Sequence, residues 1–414
     1  MAKEVKKETK KPRKIISKKV KEEKIVKESK IKEKTYNSKE TIIVMILSMI
    51  IGVGVGSIVT RHFCDSKKGL KEFDEVYNEI RENSYKTTSK NNLLFSSLSG
   101  LISGLNDRYA YINDDKNAII DYEKANEGSF VGIGINIYVN EAGQIFIQST
   151  IKDSPAEKNG IQAGDVILKM DGVEYNSSNY NDFSNTISAY KKGKKIELEL
   201  LRNDETIKKE FELDLVNIES VYYYSQEKNG KTIGVFKIDN FADNTYDQFY
   251  KYYKEAEKDI DGIVIDLRCN QDGKLEVASK IASLFLEKDS IIYHNYNNGK
   301  YEEVINKEKR EITIPTVVVV NEGTIHSGEL LASALSENLN IPVIGTKTFG
   351  KGLSQNMIPL ANGRNIMYSS KEWVTSKKNK IEEVGITPTI EIKCEEESCE
   401  SDVVLDKALE VLTY

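Results

Sequence analysis

The chain has 414 residues, 30% charged and 39% hydrophobic, with a net charge of −6. That length holds two or three globular units, and none of the four cysteines and three histidines stands at metal-ligand spacing, so no metal site is expected. The first forty residues carry 16 Lys/Arg against 7 Glu, a net of +9, which leaves −15 for everything after them and no basic surface for nucleic acid.

Residues 1–40 have no apolar periodicity and too little apolar surface to offset the entropy of ordering, so they read as a disordered tail. The run "TIIVMILSMIIGVGVGSIVT", residues 41–60, contains no charge. At about 1.5 Å rise per residue, twenty such residues span a hydrocarbon core of roughly 30 Å. They are expected to form one transmembrane helix. The basic leader exceeds the usual length of a signal-peptide n-region, and no small-residue cleavage site follows. The Lys/Arg excess places the N-terminus in the cytoplasm and residues 61–414 outside. In an exported domain Cys394 and Cys399 could pair, although spacing does not fix it.

Residues 61–125 read as helical. Leu70, Phe73, Val76, Tyr77 and Ile80 fall on one helical face, and the small, apolar "NNLLFSSLSGLISGLNDRYAYI" follows. This module is expected to carry no chemistry of its own. With the C-terminal tail it offers surface for a homodimer, which no heptad compels.

From residue 126 to 216 the period changes to that of strands: "SFVGIGINIYV", "QIFIQSTI" and "KKIELELLRN", with "SPAEKNGIQAGDVILKMDG" as a short helix, Gly-rich turn and strand. This stretch resembles a PDZ domain. In its loop, the backbone N–H groups of Gly132, Ile133 and Gly134 can approach a peptide's terminal carboxylate, and the strand from Ile135 can accept an added peptide strand.

Residues 217–414 alternate continuous apolar strands with amphipathic helices: "DGIVIDLR" before "KLEVASKIASLFLEK", "PTVVVV" before "ELLASALSENL", then "IPVIGTKTFG". That order indicates an α/β layer sheet with its ligand site at the strand ends.

The segments "GLNDRYAYI", "IGVFKIDNFADNTYDQF", "IDLRCNQDG", "VVVVNEGTIHSGELLASAL", "IGTKTFGKGLSQ", "VGITPTIEI" and "SDVVLDKALEVL", together with the PDZ-like module, stand in the order found in the C-terminal processing (tail-specific) serine peptidases. The chain resembles that family from about Leu70 onward. The resemblance implies a crotonase/ClpP-like α/β core with an inserted β-rich PDZ domain, protein or peptide substrates with free C-terminal tails, no cofactor, no metal, and a Ser/Lys dyad. Lys351 matches the family's base and Gln355 the glutamine that positions it. The family's turn Asn-x-Gly-Ser/Thr-x-Ser-x-x-Glu, laid on "NEGTIHSGE", puts His326 in the nucleophile position, with Ser327 one residue late. In the oxyanion region the family's Asn-Pro-Gly-Gly reads Asn270-Gln271-Asp272-Gly273, so an aspartate replaces a glycine. Three readings stay open. A shifted turn lets Ser327 face Lys351; or the chain is an inactive relative that binds tails; or His326 and Ser327 form a new pair, for which sequence spacing offers no acidic orienter. The chemistry favours the second.

Overall fold

The computed structural model describes residues 68–86, 89–113, 118–297, 299–360, 363–393 and 402–414. The expected tail, the 41–60 segment and the Cys394/Cys399 pair lie outside these residues. Among the described residues no helix is long and apolar enough to cross a membrane. The chain divides into residues 1–96 and 97–414. In the first unit a helix covers 68–83, and the apolar face read from the sequence is exposed: Leu70 by 70% and Phe73 by 51%.

The second unit is built on two sheets in its C-terminal half. The larger runs Val221–Lys228, Lys231–Ile238, Gly262–Asp266, Thr316–Val320, Val343–Gly345, Ile390–Glu391; its first pair is antiparallel and the rest parallel. Every residue of Gly262–Asp266 and Thr316–Val320 is buried, which explains their unbroken apolar sequence: helices cover both faces. On one face Phe236, Ile263, Ile265 and Val318 pack with Phe249, Ile281 and Leu331 from the helices Thr245–Ala256, Leu275–Phe285 and Ser327–Leu339. The other face meets Leu405, Ala408, Leu409 and Leu412 of the helix Val403–Thr413.

A second sheet places Leu353–Pro359 beside Asn365–Thr375, which also pairs with Tyr111–Asn113 and Ile291–Asn297. The sequence suggests one strand across "IPVIGTKTFG", but the strand stops at Gly345. Gly345 has φ 132°, and a Cβ there would lie 1.9 Å from the Val320 carbonyl oxygen. Beyond it the chain leaves the sheet as a loop that carries Lys351.

The PDZ-like part has its own core around Ile145, Ile147, Leu198 and Phe183, and a six-stranded sheet whose edge is Ile135–Val139, paired only with Ile145–Thr150. The loop ahead of that edge turns at Gly134 (φ 80°), where a Cβ would meet Ser154 Cβ at 2.2 Å. Ser154 caps the helix Pro155–Lys158 and donates its hydroxyl to the Gly134 carbonyl at 3.2 Å.

The helix Ser327–Leu339 is tied to the second sheet through Glu337. Its carboxylate accepts from Thr375 Oγ1, Ser376 Oγ, the Lys377 N–H and Asn379 Nδ2 at 2.6–2.9 Å. Burial pushes the Glu337 carboxyl up, but the bonds from Ser376, Thr375, Asn379 and Lys377 outweigh it and hold it below its usual range. A depressed folded-state pKa contributes stability above the unfolded value and loses it as pH falls through the folded one. Glu337→Gln is therefore expected to cost about 1–3 kcal/mol at neutral pH. In urea titrations that gap should close as the pH falls below the ordinary carboxylate range; an unchanged gap at low pH would contradict the assignment.

Candidate functional site

Two turns at the C-terminal ends of adjacent parallel strands make the site, where α/β sheets place their ligands. The turn after Gly262–Asp266 and the turn after Thr316–Val320 are locked together. Asn321 Oδ1 accepts the Cys269 and Gly323 N–H groups at 2.9 and 3.0 Å, and Thr324 Oγ1 donates to the Leu267 carbonyl at 2.8 Å. Asn270, fully buried, donates to the Ile238 carbonyl at 2.8 Å.

Both turns hold strained residues. Asp272 sits at φ 92° in the position where the family pattern has glycine, and His326 sits at φ 47°, ψ −94° at the start of its helix. Non-glycine residues seldom adopt positive φ, and such strain concentrates at functional positions. The neighbouring Gly273 (φ 127°) presses against Phe241, whose backbone N lies 2.6 Å from where a Cβ would stand.

Glu329, fully buried, fixes the third element. Its carboxylate accepts the N–H groups of His326 (2.9 Å), Gly350 (2.7 Å) and Lys351 (2.9 Å) and the Thr348 hydroxyl (2.5 Å). The lysine loop is thereby bound to the start of the Ser327–Leu339 helix. The spacing of His326 and Glu329 is that of a capping box, the signal in the sequence that foretells this role.

The side chains then converge on Asp272. Oδ2 accepts from Lys351 Nζ at 2.5 Å; Oδ1 accepts from the Gly273 N–H at 2.7 Å and lies 2.7 Å from His326 Nδ1. Burial raises the Asp272 carboxyl, but the adjoining His326 and Lys351 outweigh it and bring it down to about 2. An ionised carboxylate only accepts, so Nδ1 of His326 carries a proton and donates it. The other ring nitrogen, Nε2, faces Ser354 Oγ at 3.3 Å. The imidazole also meets the buried Trp373 ring edge-on at 6.2 Å, and Trp373 Nε1 donates to the Lys351 carbonyl at 3.2 Å.

Ser327, Gly273, Asp272, His326 and Lys351 are thus brought together, but not as a Ser/Lys dyad. Ser327 is fully buried and donates its hydroxyl to the Gly273 carbonyl at 2.7 Å; no hydrogen bond joins it to Lys351. It lies 3.5 Å from His326 Nδ1, a nitrogen already committed to Asp272. Gln355 stands one residue after Ser354 and donates to the Tyr109 carbonyl at 3.0 Å rather than to Lys351. Gly132, Ile133, Gly134 and Ile135 belong to the PDZ-like part: Gly132 ends the strand Ser129–Gly132, which pairs with Asp214–Asn217, Ile133 and Gly134 form the loop, and Ile135 starts the edge strand.

The structure adds contacts across elements that spacing does not reveal. The acidic partner of His326 that spacing does not reveal is Asp272, 54 residues upstream. The segment before the PDZ-like part, expected to carry no chemistry of its own, packs against the lysine loop. Arg108 pairs with Glu382 at 2.9 Å and donates to the Gly350 carbonyl at 3.3 Å, while Lys351 Nζ lies 5.6 Å from the centre of the Tyr109 ring. The "DRYAY" sequence gives no hint of that long-range docking.

The site opens into a cleft of about 660 Å³ lined by Asp272, Gly273, His326, Lys351, Ser354 and Gln355 among others. Because the folded-state pKa of Asp272 lies below its unfolded value, its ionic bonds stabilise the fold above about pH 4 and are lost as pH falls toward about 2. Asp272→Asn should cost about 2 kcal/mol at neutral pH, with the difference from wild type vanishing in acid. Equal denaturant midpoints at pH 7 would refute this.

Residues 232–392 match "Peptidase family S41", and residues 131–214 match "PDZ domain". The "Carboxy-terminal processing protease CtpA" of Bacillus subtilis (strain 168) is 33% identical over 333 residues, which are 79% of this chain and 69% of the relative. "Carboxy-terminal processing protease CtpB" of the same organism is 30% identical, over 79% of this chain and 68% of the relative. Among solved structures, "Photosystem II D1 C-terminal processing protease" aligns over 81% of this chain and 90% of its own, at 19% identity and a TM-score of 0.47. The sequence relatives carry the assignment: the chain belongs to the C-terminal processing proteases of peptidase family S41, with a PDZ domain.

Proposed function

We propose that the protein is a membrane-anchored, extracytoplasmic receptor for the free C-terminal tails of proteins, which it presents to a cleft where the Ser/Lys dyad has been dismantled. The observation that carries this reading is the threefold engagement of Asp272 with Lys351, His326 and the Gly273 N–H. An ammonium held by a carboxylate has no lone pair with which to take a serine proton. The N–H that would approach a developing oxyanion is already bonded to a negative charge. Position 326 holds an imidazole, and Ser327 points to Gly273. Hydrolysis by Ser327 and Lys351 would require all of these bonds to be broken.

Tail binding is supported by the edge strand Ile135–Val139 and the loop of Ile133 and Gly134 ahead of it, which follows the strand end at Gly132, near Ile187 of the helix Tyr180–Ala189. An extended peptide can pair with that edge, its apolar side chains against the helix and its terminal carboxylate on backbone N–H groups. Anchoring is supported by the uncharged run 41–60 behind its +9 leader.

Isothermal titration of the full chain with an apolar-ended peptide tests the receptor reading. The free acid is expected to bind roughly tenfold more tightly than the amide, a difference of about 1.4 kcal/mol. Equal affinities would remove the carboxylate-reading groove. For topology, protease added to wall-stripped cells should digest residues 61–414 and spare a tag at Met1; loss of the tag would reverse the orientation.

A further inference from the structure

The cleft contains a serine, an imidazole and a carboxylate in one hydrogen-bonded line, Ser354–His326–Asp272, with the imidazole in the family's nucleophile position. We propose that Ser354, His326 and Asp272 form a catalytic relay in which Ser354 is the nucleophile, His326 the general base and Asp272 the orienting carboxylate, acting on acyl groups such as a peptide bond. For its natural substrate the proposal rests on the receptor reading above, because the bound tail is the chain that the cleft would receive.

The placement of Ser354 carries the inference. It lies on Leu353–Pro359, three residues after Lys351, half-buried and lining the cleft. Between Ser354 and Gln355 the pairing with Asn365–Thr375 slips by one residue, leaving Ser370 outside the ladder. Ser370 Oγ donates to the Ser354 carbonyl at 3.3 Å. Bulges of this kind re-aim side chains beside active sites. Alternation along the strand sends Gln355 to Tyr109 and Ser354 to His326. The imidazole is held from behind: Asp272 takes the Nδ1 proton, Trp373 walls the ring, and the strained backbone of His326 is clamped by Glu329. Nε2 is left as the acceptor toward the Ser354 hydroxyl. Its 3.3 Å separation is of the length found in unliganded sites, where such bonds tighten on substrate binding.

The step balances without another reactant than water. Ser354 Oγ bonds to the substrate carbonyl carbon as its proton passes to His326 Nε2, and the carbonyl π electrons move to oxygen. Collapse breaks the C–N bond, and the Nε2 proton leaves with the amine. Water then attacks the Ser354 ester, giving its proton to Nε2; the C–Oγ bond breaks and Oγ recovers that proton. Asp272 holds the imidazolium throughout. Lys351 offsets part of that carboxylate's charge, which weakens the base, while its ammonium supplies positive charge to the same cleft.

The test is covalent labelling of the full-length protein with a fluorophosphonate, followed by mass spectrometry of the modified peptide. The adduct is expected on Ser354, absent in Ser354→Ala, and formed roughly a hundredfold or more slowly in His326→Asn, a substitution that tolerates positive φ. A thermal transition matching that of the wild-type protein establishes that each variant is folded. An adduct on Ser327, or no adduct on a folded wild-type protein, overturns the relay. Labelling of Ser354 in a protein that binds no tail peptide upholds the relay and removes the receptor reading; tail binding without labelling does the reverse.

Discussion

The site depends on one buried carboxylate. Glu329 has no exposure, yet four donors reach it from three places: the start of its own helix, Thr348 and the Gly350-Lys351 backbone. A carboxylate so enclosed is tolerable only if its lone pairs are filled, and each donor would be left unsatisfied without it. Glu329 therefore converts a loop that has left the sheet at Gly345 into a fixed wall of the cleft. The orientation of His326, the reach of Lys351 and the start of the strand that bears Ser354 all follow from that bond set.

Asp272 depends on this frame and redirects it. The glycine conformation of its turn, φ 92°, is kept while a carboxylate is added. That carboxylate reaches the Lys351 ammonium, the Nδ1–H of His326 and the N–H beside it. The same negative charge thereby holds both Lys351 Nζ and the Gly273 N–H, the two groups on which the proposed reading of the cleft turns. His326, at the position where the family pattern has serine, gains in Asp272 a partner that orients it. The two residues are complementary: Asp272 fixes the Nδ1 side of the imidazole, and the imidazole gives Asp272 a second side-chain partner beside Lys351.

Docking of the Asp107–Tyr111 segment adds a third level. Asp107 accepts from the Ser369 N–H and hydroxyl at 2.7 and 3.0 Å, Arg108 bonds Glu382, and the Tyr109 carbonyl receives Gln355. Residues more than two hundred positions apart in sequence thus brace the same loop and strand. The Ser354–Gln355 slip in the ladder lies under this brace, which couples the position of Ser354 to a segment remote from both strand-end turns.

The sequence by itself determined what depends on local pattern. Continuous apolar runs such as Gly262–Asp266 and Thr316–Val320 had to be strands covered on both faces, since their residues cannot face water on either side. The order of motifs was enough for family and domain order, and the one-residue offset at His326 and the aspartate at 272 were visible as departures. Tertiary structure alone decided what those departures do. Whether Ser327 turns to Lys351 or to Gly273 depends on the positive φ of His326, which no composition reveals. The meeting of Asp272 with His326, and of His326 with Ser354, depends on two turns and a slipped strand ladder brought together by the sheets. Spacing along the chain encodes neighbours within a helix or strand; contacts across elements are set by packing, and the chemistry of this cleft is made entirely of such contacts.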